Sequence, residues 1–166
     1  RMKYKVIDNL LDFNIFKTIQ KKILAEQTPW FFQESVEFPK THKEYKENKN
    51  AYFSHLIFDK KINSSLFETI MPILDFINYK ALIRIKLNLY PRSEKLIIHR
   101  PHKDYEYKHK GAIFYFNTNN GKTILENKIQ IDSKENRILL FDPSKFHQST
   151  NTTDTKARIN MNINYF

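Results

Sequence analysis

The closing stretch Ala157-Arg158-Ile159-Asn160-Met161-Asn162-Ile163-Asn164-Tyr165-Phe166 sets the architecture of the chain. Ile159, Met161 and Ile163 alternate with three asparagines, a period of two that predicts a β-strand with one apolar face. A strand needs partners, and the sequence upstream supplies them. From Ala81 onward short apolar runs are broken by turn residues, which predicts strands at Leu82–Leu89, Lys95–Arg100, Gly111–Asn117, Lys122–Leu125, Lys128–Ile131, Arg137–Phe141, Phe146–Thr150 and Ala157–Phe166. Asn119-Asn120-Gly121 carries a hairpin signal, and Asp132-Ser133-Lys134-Glu135-Asn136 is a second turn. About eight short strands so spaced predict a double-sheet jelly roll, a double-stranded β-helix.

The first half has a helical period instead. Phe13, Phe16, Ile19, Ile23 and Leu24 recur behind Asp12, which is placed to cap the helix. Ser65-Leu66-Phe67-Glu68 has the form of a capping box and leads into Ile70, Met71, Leu74 and Ile77. Pro72 lies inside that second pattern and predicts a kink or a late start. Trp30-Phe31-Phe32 and Tyr52-Phe53 are expected to form short strands around a polar, lysine-rich loop from Lys40 to Asn50. The expected fold is therefore α+β, mainly β. One domain would span 1–166, with helical support and edge strands in 1–80 and the jelly-roll core in 81–166.

The 166 residues are 40% hydrophobic and 14% aromatic, which suits a packed globular domain and not a disordered chain. No apolar run approaches the ~18 residues a membrane span needs, and no secretory hydrophobic region opens the chain, so a cytoplasmic protein without a membrane partner is expected. The absence of cysteine excludes disulfides and thiolate metal sites. Any metal must be held by histidine, carboxylates or backbone oxygens. The formal charge is +10, but 22 lysines against 6 arginines, with 16 asparagines and 20 isoleucines, is the bias of an AT-rich coding sequence. A phage or a small-genome bacterium is the expected source. The positive field still favours an anionic ligand, whether a dicarboxylate or a nucleic acid.

Among six histidines, His102-Lys103-Asp104 stands out. In a strand, positions i and i+2 project from one face, so His102 and Asp104 can grip one ion from one segment. His147 closes the apolar run Ile138-Leu139-Leu140-Phe141 and offers a second imidazole from another strand. Two imidazoles and one carboxylate on one triangular face leave positions open for substrate and O2, as in non-haem Fe(II) oxygenases. A polar loop from Ser149 to Lys156 turns the chain back, and an antiparallel return brings Arg158 near His147. A salt bridge is the bland account of that arginine, yet burying it without a carboxylate partner would be costly.

Together these residues resemble the 2-oxoglutarate/Fe(II)-dependent oxygenases in their prolyl-hydroxylase-like branch, over roughly 82–166. Leu89-Tyr90-Pro91, His102-x-Asp104, Phe114-Tyr115-Phe116-Asn117, Gly121-x-Thr123, Asn136-Arg137 to Phe141-Asp142, His147 and Arg158 stand in that family's order. The N-terminal half resembles short phage oxygenases. The resemblance implies that His102, Asp104 and His147 bind Fe(II), that Arg158 pairs with the distal carboxylate of the cosubstrate 2-oxoglutarate, and that the Tyr90 and Tyr115 hydroxyls hydrogen-bond it. It further implies oxidative decarboxylation to succinate and CO2 with O2, ascorbate as reductant, and hydroxylation of a C–H bond. Related halogenases replace the carboxylate ligand by a small residue; this chain keeps Asp104.

The lead substrate class implied is a prolyl residue of a peptide or protein. A nucleic-acid demethylase of the same fold would carry a second arginine six positions beyond Arg158, where this chain has Asn164. A small-molecule oxygenase and a non-catalytic jelly-roll binding protein remain as further readings. His99 lies three residues before His102 and would face away from it in a strand, and His109 is expected in a loop near substrate. Oligomeric state is not readable.

Overall fold

The computed structural model describes residues 2–34 and 50–166. The lysine-rich stretch expected to be a loop lies outside them, except for Asn50. In chain order the elements are β1 (Lys5–Ile7), α1 (Phe13–Ile23), β2 (Phe31–Gln33), β3 (Tyr52–Asp59), β4 (Lys61–Ile62), α2 (Leu66–Thr69), α3 (Met71–Ile77), β5 (Leu82–Pro91), β6 (Lys110–Tyr115), β7 (Lys122–Leu125), β8 (Ile129–Asp132), β9 (Arg137–Phe141), β10 (His147–Ser149) and β11 (Ala157–Tyr165). The strands form two antiparallel sheets. The larger runs β1-β9-β6-β11-β5-β3-β2, with β4 added to β3, and the smaller runs β10-β7-β8. This is the mainly β, two-sheet architecture that the strand spacing predicts.

Strand β11 lies at the middle of the large sheet, pairing with β5 on one side and β6 on the other. Its alternation separates two interiors, not core from solvent. Ile159, Met161 and Ile163 face a core shared with Phe16, Ile19 and Ile23 of α1 and with Phe114 and Phe116. Asn160 and Asn164 point the other way and are also buried. A second cluster, Met2, Ile113, Tyr115, Leu125, Ile131, Leu139 and Phe141, fills the space between the sheets. Strand β6 supplies both clusters by the same period, Phe114 to one and Ile113 and Tyr115 to the other.

Helix α1 begins where Asp12 predicts: its carboxylate accepts from the Asn14 and Ile15 amides at 3.0 and 3.4 Å. Its buried stripe is Phe16, Ile19 and Ile23, laid over the sheet. The second helical pattern is broken at Ile70 into α2 and α3. Pro72 has no amide to donate and its ring clashes with a continuing helix, so the chain restarts with Pro72 in the first turn of α3. The cap is one residue earlier than the capping-box pattern suggests, because Ser64 Oγ, not Ser65, accepts from the Leu66 amide at 3.1 Å.

Two further expectations differ. The segment 95–100 is no regular strand. It follows β10 through isolated bridges, Ile98 to Thr150 and His102 to His147, and Pro101 between them removes a ladder donor. Asn119-Asn120-Gly121 joins no hairpin; it carries the chain from β6 in the large sheet to β7 in the small one. Asn120 is tied to the loop before β11, its side chain bonding Thr153 and its amide donating to Asp154, while the Asn119 side chain bonds Asn117 and accepts from the Gly121 amide. The tight turn is instead Glu126-Asn127 between β7 and β8, both at positive φ (49° and 58°), the primed geometry whose twist matches flanking strands. No helix among the described residues is long and apolar enough to cross a membrane.

Asp12→Ala leaves the α1 N-terminal amides unsatisfied and should cost about 1 kcal/mol. At this chain length that lowers the thermal midpoint by roughly 2–4 °C in calorimetry, with the site residues unaffected.

Candidate metal centre

His102 and His147 meet through their backbones. Each amide donates to the other's carbonyl at 3.0 Å, an antiparallel pair that places the two imidazoles side by side with ring centroids 4.4 Å apart. His102 thus stands at an isolated bridge and not in a regular strand. Asp104, two residues on, is fixed through its amide to the Pro143 carbonyl at 2.9 Å. The three residues bring one donor atom each to within 4.8 Å of one another. Asp104 Oδ1 is 3.3 Å from His147 Nε2 and 3.6 Å from His102 Nε2.

The ring orientations state what such a cluster is for. His147 Nδ1 lies 2.9 Å from the Lys145 carbonyl, an oxygen that can only accept, so Nδ1 carries the proton and Nε2 presents a lone pair. His102 Nδ1 faces the Arg100 carbonyl at 3.4 Å, the same orientation with a longer contact. Two ring nitrogens then converge on a carboxylate oxygen, a set that calls for positive charge among its members, which a bound metal ion supplies. Bonds of about 2.1 Å place adjacent donors ~3 Å apart, close to the spacing present. A carbonyl behind each imidazole is the usual outer support of a histidine ligand. The donor set, two nitrogens and one oxygen without sulfur, fits a ferrous ion.

Asp104 has a second support that its neighbours in sequence do not announce. Asn164 Nδ2 donates to Asp104 Oδ2 at 2.8 Å and lies 3.1 Å from His109 Nε2, while His109 Nδ1 faces the Tyr107 carbonyl at 2.8 Å. Oδ2 is thereby engaged and Oδ1 is the oxygen turned to the imidazoles. Burial alone would push the Asp104 carboxyl up, but His102, His147 and Asn164 around it hold it well below the usual range. It is ionised at neutral pH. His109 therefore backs the site through Asn164 and is buried, where the loop expectation put it beside substrate.

Arg158 lies across the interior from the cluster, completely buried at 0% exposure. It donates from Nε to Ser133 Oγ at 2.8 Å, from Nη1 to Ser149 Oγ and the Thr150 carbonyl at 2.7 and 3.1 Å, and from Nη2 to Thr123 Oγ1 at 3.1 Å. All four acceptors are neutral. Among the described residues no carboxylate pairs with it, and burial lowers its pKa. A buried guanidinium without a counter-ion is strongly unfavourable, so this is a slot for an anion. Four of its five N–H groups are taken, and a bidentate carboxylate would need one hydroxyl to turn aside. The Tyr90 and Tyr115 rings flank it at 5.4 and 5.9 Å, and the Tyr115 hydroxyl is 2.7 Å from Thr123 Oγ1. Tyr90 stacks on Tyr52 and leans on His99, whose imidazole is buried and kept neutral.

Gly121 is glycine for space, not for backbone freedom: its φ is not positive. A Cβ there would overlap Arg158 Cδ and lie 2.6 Å from the Asn151 carbonyl. The pattern Gly121-x-Thr123 is thus the bed of Arg158. Sequence reasoning missed Asn164, Ser133, Ser149 and Thr123 as site residues. One signal was available: Asn164 shares a strand face with Arg158 by even spacing.

No family model and no curated protein sequence matches the chain. Solved structures do match its fold. A prolyl hydroxylase from Trichoplax adhaerens, in complex with a peptide of the hypoxia inducible factor oxygen degradation domain, superposes with a TM-score of 0.67 at 16% identity, covering 98% of this chain and 83% of that one. A 2OG-Fe(II) oxygenase-family oxidoreductase from Burkholderia pseudomallei gives 0.68 at 12% identity, covering 98% and 84%. The non-heme alpha ketoglutarate dependent epimerase SnoN from nogalamycin biosynthesis gives 0.64 at 10%, covering 100% and 78%. At such identities the likeness is one of fold, and the fold is that of the 2-oxoglutarate/Fe(II) oxygenases.

Three outcomes are expected. His102→Ala or Asp104→Ala should weaken Fe(II) binding on the order of 100-fold or more while the protein still melts cooperatively; calorimetry and metal titration separate the two effects. Gly121→Ala should lower stability by about 1–3 kcal/mol in chemical denaturation, since Arg158 must move. His99 is pushed down to about 3, by burial first and then by Arg158 and His102. Its neutral form thus stabilises the fold fully above its unfolded pKa of about 6.5, and that stability is lost as pH falls toward the folded value. In chelator, wild type should lose stability relative to His99→Gln at up to about 1.4 kcal/mol per pH unit across that window; parallel curves would show the histidine exchanging protons freely in the folded state.

Proposed function

We propose that this protein is an Fe(II)- and 2-oxoglutarate-dependent dioxygenase that hydroxylates a C–H bond, with a prolyl residue of a peptide as the lead substrate class. One observation carries the reading: three converging donors, His147 buried and His102 and Asp104 partly so, share an interior with a buried arginine that has no carboxylate partner among the described residues. The first needs a cation and the second an anion. A ferrous ion and a 2-oxoglutarate dianion satisfy both within one cleft. The fold supports this, and so does the peptide-bound prolyl hydroxylase among its structural neighbours.

Bound together, the ion and its cosubstrate supply oxidative decarboxylation: 2-oxoglutarate, O2 and R–H become succinate, CO2 and R–OH. The chain's own part is binding and orientation. His102, Asp104 and His147 would hold the ion, and three protein donors would leave it able to take cosubstrate and O2 as well. Arg158, with Thr123 and Ser149 beside it, receives the distal carboxylate, and Tyr90 and Tyr115 wall the slot. Arginine suits this role because its charge survives burial and its planar fork matches a carboxylate, which a lysine ammonium does not. Ascorbate would keep the ion ferrous.

A second reading has an observation in its favour. The cleft rim carries Arg84, Lys86 and Lys103, so an anionic small molecule or nucleotide is the alternative substrate of the same centre. A demethylase-type second arginine is replaced by Asn164, which holds Asp104.

The test is direct. Purified protein with Fe(II) and ascorbate should convert 2-oxoglutarate to succinate slowly on its own, and a screen of peptide, nucleotide and metabolite pools should yield a product heavier by one oxygen. Arg158→Lys should weaken 2-oxoglutarate at least tenfold with little change in iron affinity, about 1.4 kcal/mol. Absence of both turnover and cosubstrate binding removes the assignment.

A further inference from the structure

Among the described residues the cleft in front of the candidate metal centre is lined by three cations, Arg84, Lys86 and Lys103, and by one carboxylate, Asp104. Asp104 is already committed to Asn164 and to the imidazole pair. Lys103 is satisfied on the surface by Glu106 at 2.9 Å. Arg84 is different. Among the described residues no carboxylate forms an ion pair with it, although Asp59 is its register partner on β3. Its guanidinium stacks on the Tyr105 ring at 5.2 Å, its Nη2 donates to Asn164 Oδ1 at 3.4 Å, and its buried Nε has no hydrogen-bond partner. The cation is held in place by a ring and an amide, with no carboxylate in ion-pair contact among the described residues.

Its position relates it to the chemistry. Arg84, Lys86, Asn88 and Tyr90 share one face of β5, spaced about 7 Å per two residues. Tyr90 marks the Arg158 end and Arg84 the mouth. Asn164 bonds Arg84 with one end of its amide and Asp104 with the other. The Arg84 guanidinium therefore lies one side chain away from Asp104.

We propose that Arg84 is a recognition site for a carboxylate on the prime substrate, so that the oxidised residue belongs to a peptide with an acidic side chain one or two positions away. This rests on the oxygenase reading of the centre. The spacing follows from reach: an extended chain advances about 3.3 Å per residue, and one asparagine spans the gap between Arg84 and Asp104. A carboxylate suits the site better than a phosphodiester strand. The guanidinium is held flat with part of its edge used, which leaves a planar edge for a planar anion. Nucleic acid is ordinarily gripped along a track of separated cations, while Arg84 is a single guanidinium fixed between Tyr105 and Asn164.

The experiment uses dye-labelled pentapeptides with a central proline, carrying aspartate, asparagine or lysine one or two residues from it, and a thymidylate pentanucleotide. Binding is read by fluorescence anisotropy, with Fe(II) and 2-oxoglutarate and again in chelator. Wild type should bind the aspartate peptide about tenfold or more tighter than the asparagine peptide, the range of a charge-assisted contact. That ratio should fall to near unity in Arg84→Gln and reverse toward the lysine peptide in Arg84→Glu. Equal binding of aspartate and asparagine peptides by wild type overturns the carboxylate site, and needs no variant to fold. Tighter binding of the thymidylate overturns it in favour of a phosphate. Failure to bind Fe(II) and 2-oxoglutarate sinks the oxygenase reading instead, while a charge preference that persists in chelator upholds the carboxylate site by itself.

Discussion

The site depends on the placement of β11 between β5 and β6. A strand hydrogen-bonded on both edges and buried on both faces has no freedom to slip, because a shift of one residue would send asparagines into the apolar core and isoleucines into the cleft. That constraint sets Arg158 opposite Tyr90, Asn160 between Asn88 and Tyr115, and Asn164 opposite Arg84. The buried guanidinium, the polar floor and the amide behind Asp104 are three positions along a single register.

Against this rigid wall the metal ligands come from less regular chain. His102 and His147 hold each other by one reciprocal backbone pair, and Asp104 is tied to Pro143 and Asn164. Irregular backbone here is functional: a continuous ladder would point His102 and Asp104 along one face, but a bridge followed by a bend lets both meet a histidine from the neighbouring segment. Each ligand is supported from behind by a carbonyl or an amide, and the cluster is preorganised for a cation.

Electrostatics give the cleft a direction. Arg158 at its floor and Arg84 at its mouth are both cations without carboxylate partners among the described residues, with Asp104 between them. One anion is required at the floor by burial alone, since solvent cannot compensate Arg158 there. The mouth is more open, and its charge selects among substrates and does not hold the fold together. The overall surplus of lysine adds a general positive field, but lysine bias accounts for most of it, and the specific signal resides in the arginines.

Local pattern determined a good deal by itself. Period-two alternation or short apolar runs between turn residues located β5, β7, β9 and β11, Asp12 marked the start of α1, and the order of His102, Asp104, His147 and Arg158 announced a metal and an anion, because ligand chemistry restricts which side chains can serve. What short-range pattern could not carry was decided by tertiary contact. Asn119-Asn120-Gly121 has hairpin composition, yet crosses between sheets because Gly121 must admit the Arg158 side chain from 37 residues further on. Asn164 and Arg84 look like solvent-facing polar residues of ordinary strands. Only the pairing of β5 with β11 turns them inward, one onto a metal ligand and the other to the mouth, since burial and partnership are properties of the assembled sheets and not of any segment.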